Sequence, residues 1–425
     1  PPRMLLLYTL ALRMYALLIR VAARWNPKAK QFVAGRRDLL PRIAAQLAGN
    51  TAPVAWFHAA SLGEFEQARP VIEGFRGRHP QFRIVLTFFS PSGYEVRKNY
   101  PGADHVFYLP EDSARNARQF VAAVRPAVAF FAKYEFWHHY LRELNRQHVP
   151  AVSFSAIFRP GQLFFRPYGG FFRRILQQFA HLYVQNEASA QLLRGAGITR
   201  VTVAGDTRFD RVRTVAAQKK DIPLAAAFKA GQPLLVIGSS WAPDMAVVTP
   251  FLNAFAGPLK VIIAPHELHE DEMAGLERDL QRKTIRFSKA TAATVAAHDV
   301  LLIDNIGMLS SLYAYGDFAY VGGGFGKGIH NILEAATFGL PVFFGPRHGK
   351  FQEAVDLVRL GGAFGISTTE ALRTAFTPLY TDTIRYGQAS RTARQYVQDH
   401  TGATETILDG VEKWLEGWKV RKLEG

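Results

Sequence analysis

Residues 58–66 read HAASLGEFE, so an apolar run ending at Trp56-Phe57 gives way to a histidine, small residues and two carboxylates. Ser61 followed three residues later by Glu64 is the pattern of a capping box, which opens ordinary helices. The same spacing puts Glu64 at a strand-to-helix turn, on the rim where open α/β sheets hold their chemistry. A second carboxylate, Glu135 in FFAKYEFWHHY (130–140), also follows directly on an apolar run. It reads as a second acid of the same rim or as the partner of Lys133 or a nearby arginine.

The richest stretch is YVGGGFGKGIHNILEAATFGLPVFFGP (320–346). Gly322, Gly323 and Gly324 end a run, Gly326, Lys327 and Gly328 form a loop, and a helix is expected to start near His330-Asn331. Glycines let backbone approach a bulky anion, and free N–H groups at a helix start favour it. The pattern matches neither the dinucleotide fingerprint nor the Gly-Lys-Ser/Thr phosphate loop. If the helix starts there, Glu334 lies one turn past His330 on the same side, suited to ribose hydroxyls; otherwise it is a solvated first-turn acid.

RPGQLFFRPYGGFFRRI (159–175) interleaves Arg159, Arg166, Arg173 and Arg174 with five aromatic rings, and no acid occurs between Glu143 and Glu187. Such a surface suits single-stranded nucleic acid or an anionic lipid headgroup. The first segment, MLLLYTLALRMYALLIRVAARW (4–25), favours lipid. Arg13 and Arg20 interrupt it before about 20 clean apolar residues accumulate, which argues against a transmembrane span. Its arginines at spacings of seven and four leave a wide apolar face, as in a helix lying in the headgroup layer. A buried packing helix fits the same pattern. Residues 1–50 hold nine Lys or Arg against Asp38 alone, so they supply +8 of the chain's +16.

Metal chemistry has little support. The chain has no cysteine, no D-x-D pair and no H-E-x-x-H. His138 and His139 should point to different sides of a helix, and His266 and His269 in HELHEDE read as an acid-rich helix start.

These residues need a frame. In 425 residues, seven β-rich runs lie between 54 and 206 and seven more between 234 and 367. Near-continuous apolar runs alternating with amphipathic stretches imply parallel strands covered on both faces, hence two doubly wound α/β domains facing a cleft. The Ala/Lys/Pro-rich stretch 214–233 reads as an interdomain linker with a short helix. The domains are then a membrane-associating helix (1–25), an N-terminal domain (26–213) and a C-terminal domain (234–425) whose last helix can pack back on the first.

The motifs HAASLGEFEQARPVI (58–72), TFFSPSGYE (87–95), FFAKYEFW (130–137), VQNEASAQLLRGAGITRVTVAGDTRFD (184–210), DNIGMLSSLYAYGDFAYVGG (304–323) and GIHNILEAATFGLPVFFGP (328–346) together resemble the Kdo transferases. These are GT-B glycosyltransferases that move 3-deoxy-D-manno-octulosonic acid (Kdo) from CMP-Kdo to a lipid A precursor. The resemblance implies Glu64 as catalytic base and Glu135 as a second acid. It implies nucleotide-sugar contacts from Ser239, Ser240, His266, Gly323, Gly324, Lys327, Gly328, His330, Asn331 and Glu334. Acceptor contacts are expected from Ser61, Gly63, Arg159, Arg166 and Arg208.

Three stretches depart from the pattern: GSSWAPD (238–244), APHELHE (264–270), where His266 stands in place of an expected arginine, and AGDTRFD (204–210), where Gly-Asn and then Lys are expected. Lys327, Arg208 and Lys350 are therefore candidate phosphate cations. The expected partners are CMP-Kdo, lipid A precursor and an anionic membrane, with no cofactor, metal or nucleic acid. The expected location is the cytoplasmic face of the bacterial inner membrane. A UDP-sugar-dependent GT-B enzyme or a non-catalytic polyanion-binding protein is the alternative.

Overall fold

The computed structural model describes the backbone of residues 2–424 and the side chains of residues 3–416. It divides into two compact units: residues 1–211 with 401–425, and residues 212–400.

Unit 1 holds a seven-stranded sheet made of β1 (Val54–Ala59), β2 (Arg83–Phe88), β3 (His105–Tyr108), β4 (Pro126–Ala132), β5 (Ala151–Ala156), β6 (His181–Val184) and β7 (Val201–Val203). Their order is β3-β2-β1-β4-β5-β6-β7, and all neighbours are parallel. Alternate side chains of β1 serve two cores. Trp56 packs on Phe120, Phe131 and Tyr140 on one face. Phe57 stacks flat on Phe130, centroids 4.3 Å apart, on the other. Both rings are fully buried, as a sheet covered on both sides requires.

Unit 2 repeats the plan with β8 (Leu234–Ser240), β9 (Lys260–Pro265), β10 (Thr284–Arg286), β11 (Val300–Leu302), β12 (Phe318–Val321), β13 (Val342–Phe344) and β14 (Ala363–Gly365). The order is β10-β11-β9-β8-β12-β13-β14, again parallel throughout. All fourteen apolar runs are strands.

The expected linker is different. Residues 214–233 carry the end of helix Thr207–Ala217 and all of helix Pro223–Lys229. Ala225 and Phe228 are buried, and Lys229 donates to the Asp317 carboxylate. Ala225 and Phe228 form the buried face of this helix of unit 2, while Ala226 is exposed. The C-terminal boundary also moves, because helix Ala403–Glu424 belongs to unit 1. Its Ile407, Leu408, Val411 and Leu415 join the core of Phe57, Phe75 and Phe130.

Helix Pro2–Ala22 has two faces. Met4, Leu5 and Tyr8 pack against the unit 1 core and Ala16 is buried. Leu6, Leu10, Met14, Leu17, Leu18 and Val21 form an exposed stripe, with Leu6 70 % exposed. The segment Arg3–Ala22 is long and apolar enough to cross a membrane, so its arginines do not exclude a span by length and composition. Tyr8 also packs on Phe171, ring centroids 5.7 Å apart, which joins this helix to the aromatic and basic stretch 159–174.

Candidate active site

Glu64 lies in the first turn of helix Leu62–Arg78, at the C-terminal end of β1. Ser61 occupies the N-cap in extended conformation, but no capping box forms. Its hydroxyl instead donates to Glu64 Oε2. Glu64 stays half-buried and Gly63 beside it is exposed. One turn on, Gln67 donates to the buried Asp206, whose other carboxylate oxygen holds the Arg208 guanidinium at 2.9 Å. Arg208 thus stands in unit 1 with Glu64, paired to a carboxylate, and unit 2 holds the glycine loop.

Glu135 is only 8 % exposed and follows β4 through Lys133, which has left-handed backbone (φ +62°). Its partners are neither Lys133 nor an arginine. Glu135 Oε2 accepts from Trp137 Nε1 at 2.7 Å and lies 3.0 Å from His58 Nε2. His58, on β1, meets Thr87 through Nδ1, and Trp56 donates to the Thr87 hydroxyl. A chain of polar groups therefore runs through the sheet beneath Glu135, each member satisfied, as burial demands.

The aromatic and basic stretch packs against this edge, with Phe136 on Phe158 and Phe164. Arg159 and Arg166 are exposed on it. Burial raises the Tyr134 hydroxyl pKa, which the nearby Arg159 charge opposes. His138 and His139 do not diverge. Their centroids are 5.1 Å apart beside Tyr8, and burial lowers both, His138 to about 4.

In unit 2 the strand ends converge on the glycine loop. A Cβ on Gly322 would meet Ser239 O at 2.2 Å, and Gly323 has φ +91° with Gly328 O where its Cβ would go. Both positions need glycine. Ser239 is itself left-handed (φ +52°), and Ser240 is buried beside it. The loop is held by Asp244, fully buried, which accepts from the backbone N–H groups of Trp241 and Gly323 and from the Tyr320 hydroxyl. Burial and Asp244 together raise the Tyr320 pKa.

The helix expected at His330-Asn331 begins at Leu333 and runs only to Ala336. His330 N–H bonds to Gly322 O, and Asn331 Oδ1 accepts from Leu333 N–H, so both residues belong to the loop. His330 and Glu334 therefore do not share a helix face. Glu334 is linked to Asn331 instead, Nδ2 to Oε1 at 3.1 Å. Lys327 and Lys350 are exposed. Arg347 adds a third cation, its guanidinium donating to Gly326 O at 2.7 Å.

His266 and His269 part company. His269 pairs with Glu267, whose hydrogen bond raises its pKa, whereas His266 stacks on Trp241 with centroids 4.5 Å apart. Among the described residues no group of three His, Asp or Glu could hold a metal ion.

A family profile described as 3-deoxy-D-manno-octulosonic-acid transferase (kdotransferase) matches residues 34–211, which carry Glu64 and Glu135. The 3-deoxy-D-manno-octulosonic acid transferase of Chlamydophila psittaci is 30 % identical over 344 residues, 76 % of this chain and 76 % of that protein. The chain belongs to this Kdo transferase family. The Kdo transferase of Bordetella pertussis is 28 % identical over 432 residues, 96 % of this chain and 99 % of its own. Among solved structures, UDP-GlcNAc 2-epimerase from Neisseria meningitidis bound to UDP-GlcNAc superposes with a TM-score of 0.59 at 16 % identity, covering 85 % of this chain and 99 % of that one. The calicheamicin glycosyltransferase CalG4 gives 0.54 at 14 % identity, covering 86 % and 99 %. Such identities establish the fold alone: GT-B, with two Rossmann-like domains. As a Kdo transferase-family chain the protein is a glycosyltransferase.

The motif reading of this Kdo transferase misses His58, Trp137, Asp244 and Arg347. Trp137 and Asp244 end the quoted stretches FFAKYEFW (130–137) and GSSWAPD (238–244), and an aromatic N–H two residues from Glu135 is a usable signal. Only the fold pairs His58 with Glu135.

Proposed function

We propose that this enzyme transfers Kdo from CMP-Kdo to a lipid A precursor, lipid IVA, by direct inverting displacement. The observation that carries the proposal is Glu64: a half-buried carboxylate at the C-terminal rim of the unit 1 sheet, in a Kdo transferase-family chain. An acceptor hydroxyl gives its proton to Glu64 while its oxygen bonds to the anomeric carbon. The bond from that carbon to the phosphate oxygen breaks, and CMP leaves. Glu135, fixed by His58 and Trp137, keeps a second carboxyl at the same rim. Loop backbone N–H groups with Lys327 and Arg347 would stabilise the departing phosphate electrostatically, so the reading calls for no metal. Product mass after incubation with lipid IVA and CMP-Kdo is the test. A product heavier by Kdo supports the proposal, and transfer from a UDP-sugar instead would overturn it.

Glu334→Ala should weaken CMP binding by about 1–3 kcal/mol, the cost of leaving desolvated ribose hydroxyls without a charged acceptor. Calorimetry that finds CMP affinity unchanged would return Glu334 to a role as a capping-turn acid for Asn331.

The acceptor is a lipid, so the enzyme has to work at a membrane surface, which we assign to the cytoplasmic face of the inner membrane. The exposed stripe of helix Pro2–Ala22 and the +8 of the first fifty residues supply an apolar and an electrostatic signal together. Replacing Leu10, Leu17 and Leu18 by Ser leaves Tyr8 and Ala16 in their packed positions. Each leucine removed from water contributes about 1.5–3 kcal/mol when fully buried, so binding to anionic liposomes should fall at least about tenfold. Undiminished binding would assign the stripe to something other than lipid.

A further inference from the structure

Trp241, His266 and His330 meet above the glycine loop in an arrangement that fixes their protons. The Trp241 and His330 rings are nearly coplanar, 12° apart, and joined edge to edge by a hydrogen bond from Trp241 Nε1 to His330 Nε2 at 3.0 Å. Indole N–H can only donate, so His330 Nε2 carries a lone pair and a neutral His330 keeps its proton on Nδ1. Charging His330 would break that bond. Burial and His266 also lower the His330 pKa, with Asp244 opposing them. The exposed His266 lies over both rings, centroids 4.5 Å from Trp241 and 4.4 Å from His330, tilted by 28° and 23°. An indole face attracts a cation lying over it. The proton this cluster can gain therefore belongs on His266.

We propose that His266, seated on the Trp241–His330 plane, is a titratable phosphate-binding cation, so donor binding takes up a proton. This rests on the donor-site reading above. The charged and titratable groups about His266 are His330 and Asp244, the latter in the first turn of helix Ala242–Ala254, together with Glu267 and its partner His269 on the segment of His266 itself. Of these only the histidines change charge around neutral pH at their ordinary values; the indole bond keeps His330 neutral, and His269, whose bond to Glu267 raises its pKa, is retained in the His266→Arg control below. The sign follows from the charge. A phosphodiester favours charged His266, so its pKa rises on binding. Affinity is full below the value in the free protein and falls as pH rises through the value in the complex.

The probe is cytidine 5′-methylphosphate, a phosphodiester whose single negative charge is constant across neutral pH, with cytidine as the uncharged control. Calorimetry on the full chain should give a Kd about tenfold or more larger at about pH 8.5 than at about pH 6. His266→Arg should bind equally at both, and cytidine should show no such slope. A flat profile in the unsubstituted protein, or an equal slope in His266→Arg, overturns the inference. Trp241→Leu should lower the His266 pKa read from its imidazole proton resonances, and an unchanged value overturns the role of the indole. If neither ligand binds the unsubstituted protein at any pH, the donor-site reading itself falls.

Discussion

Glu64→Gln should reduce Kdo transfer by about 10²–10⁴-fold while leaving nucleotide binding nearly intact. A positioned general base contributes about that much, and glutamine keeps the shape of the side chain while losing the proton acceptor. Nucleotide affinity should hold because Glu64 belongs to unit 1 and the glycine loop to unit 2. The Ser61 hydroxyl can still donate to the amide oxygen, so the first turn of helix Leu62–Arg78 should stay folded. Turnover with saturating donor and acceptor is the measurement. A variant that keeps a tenth of normal turnover would remove Glu64 from the role of base.

The second large effect should come from Asp244→Ala. Asp244 is fully buried and takes three donors: the Trp241 and Gly323 backbone N–H groups at 3.0 and 2.9 Å and the Tyr320 hydroxyl at 3.0 Å. Alanine leaves all three facing an apolar hole. Each buried unpaired donor costs about 1–3 kcal/mol, so unit 2 should lose about 3–5 kcal/mol. Urea unfolding should show a transition shifted down by about 1 M or more. Because the same carboxylate ties the Trp241 turn to Gly323, nucleotide binding should fall too. Asp244→Asn should do less damage, since its amide oxygen can keep the two N–H groups and its NH₂ can donate to the Tyr320 oxygen. Equal losses in the two variants would mean the negative charge, rather than the bonding pattern, holds the loop.

The central strands were legible because β1, β4 and β5 are buried on both faces, which writes a continuous apolar run into the sequence. The glycine loop was legible for a related reason: backbone approaching backbone, as at Gly322 and Ser239, excludes side chains. Local competition made the helix after it illegible. Asn331 can cap Leu333 or start a helix itself, and the hydrogen bond from His330 N–H to Gly322 O, eight residues back, decides the matter. The Ser61/Glu64 pair was ambiguous in the same way, since a hydroxyl between a carboxylate and a backbone amide can serve either. His58 with Glu135 is illegible for a different reason. Its partners are 77 residues apart, brought together by the register that sets His58 beside Phe131 on β4. The short helix within residues 214–233 was legible, but its membership of unit 2 was not, because alanine-rich sequence suits a solvated linker and a packed helix equally.

The return of helix Ala403–Glu424 has a consequence for synthesis. Asp210 Oδ1 and Oδ2 accept from the backbone N–H groups of Gly402 and Thr404, and His79 pairs with Glu412, so the last turn of the path is stitched to some of the earliest-made structure. A ribosome has to make the whole of unit 2 before the residues that cover Phe57, Phe75 and Phe130 exist. Unit 1, although it is translated first, therefore matures last. In the interval its sheet offers an uncovered apolar face, and in a growing chain such a face is the natural target of chaperones. Emergence of helix Ala403–Glu424, rather than of residue 211, would mark the moment unit 1 becomes fully folded.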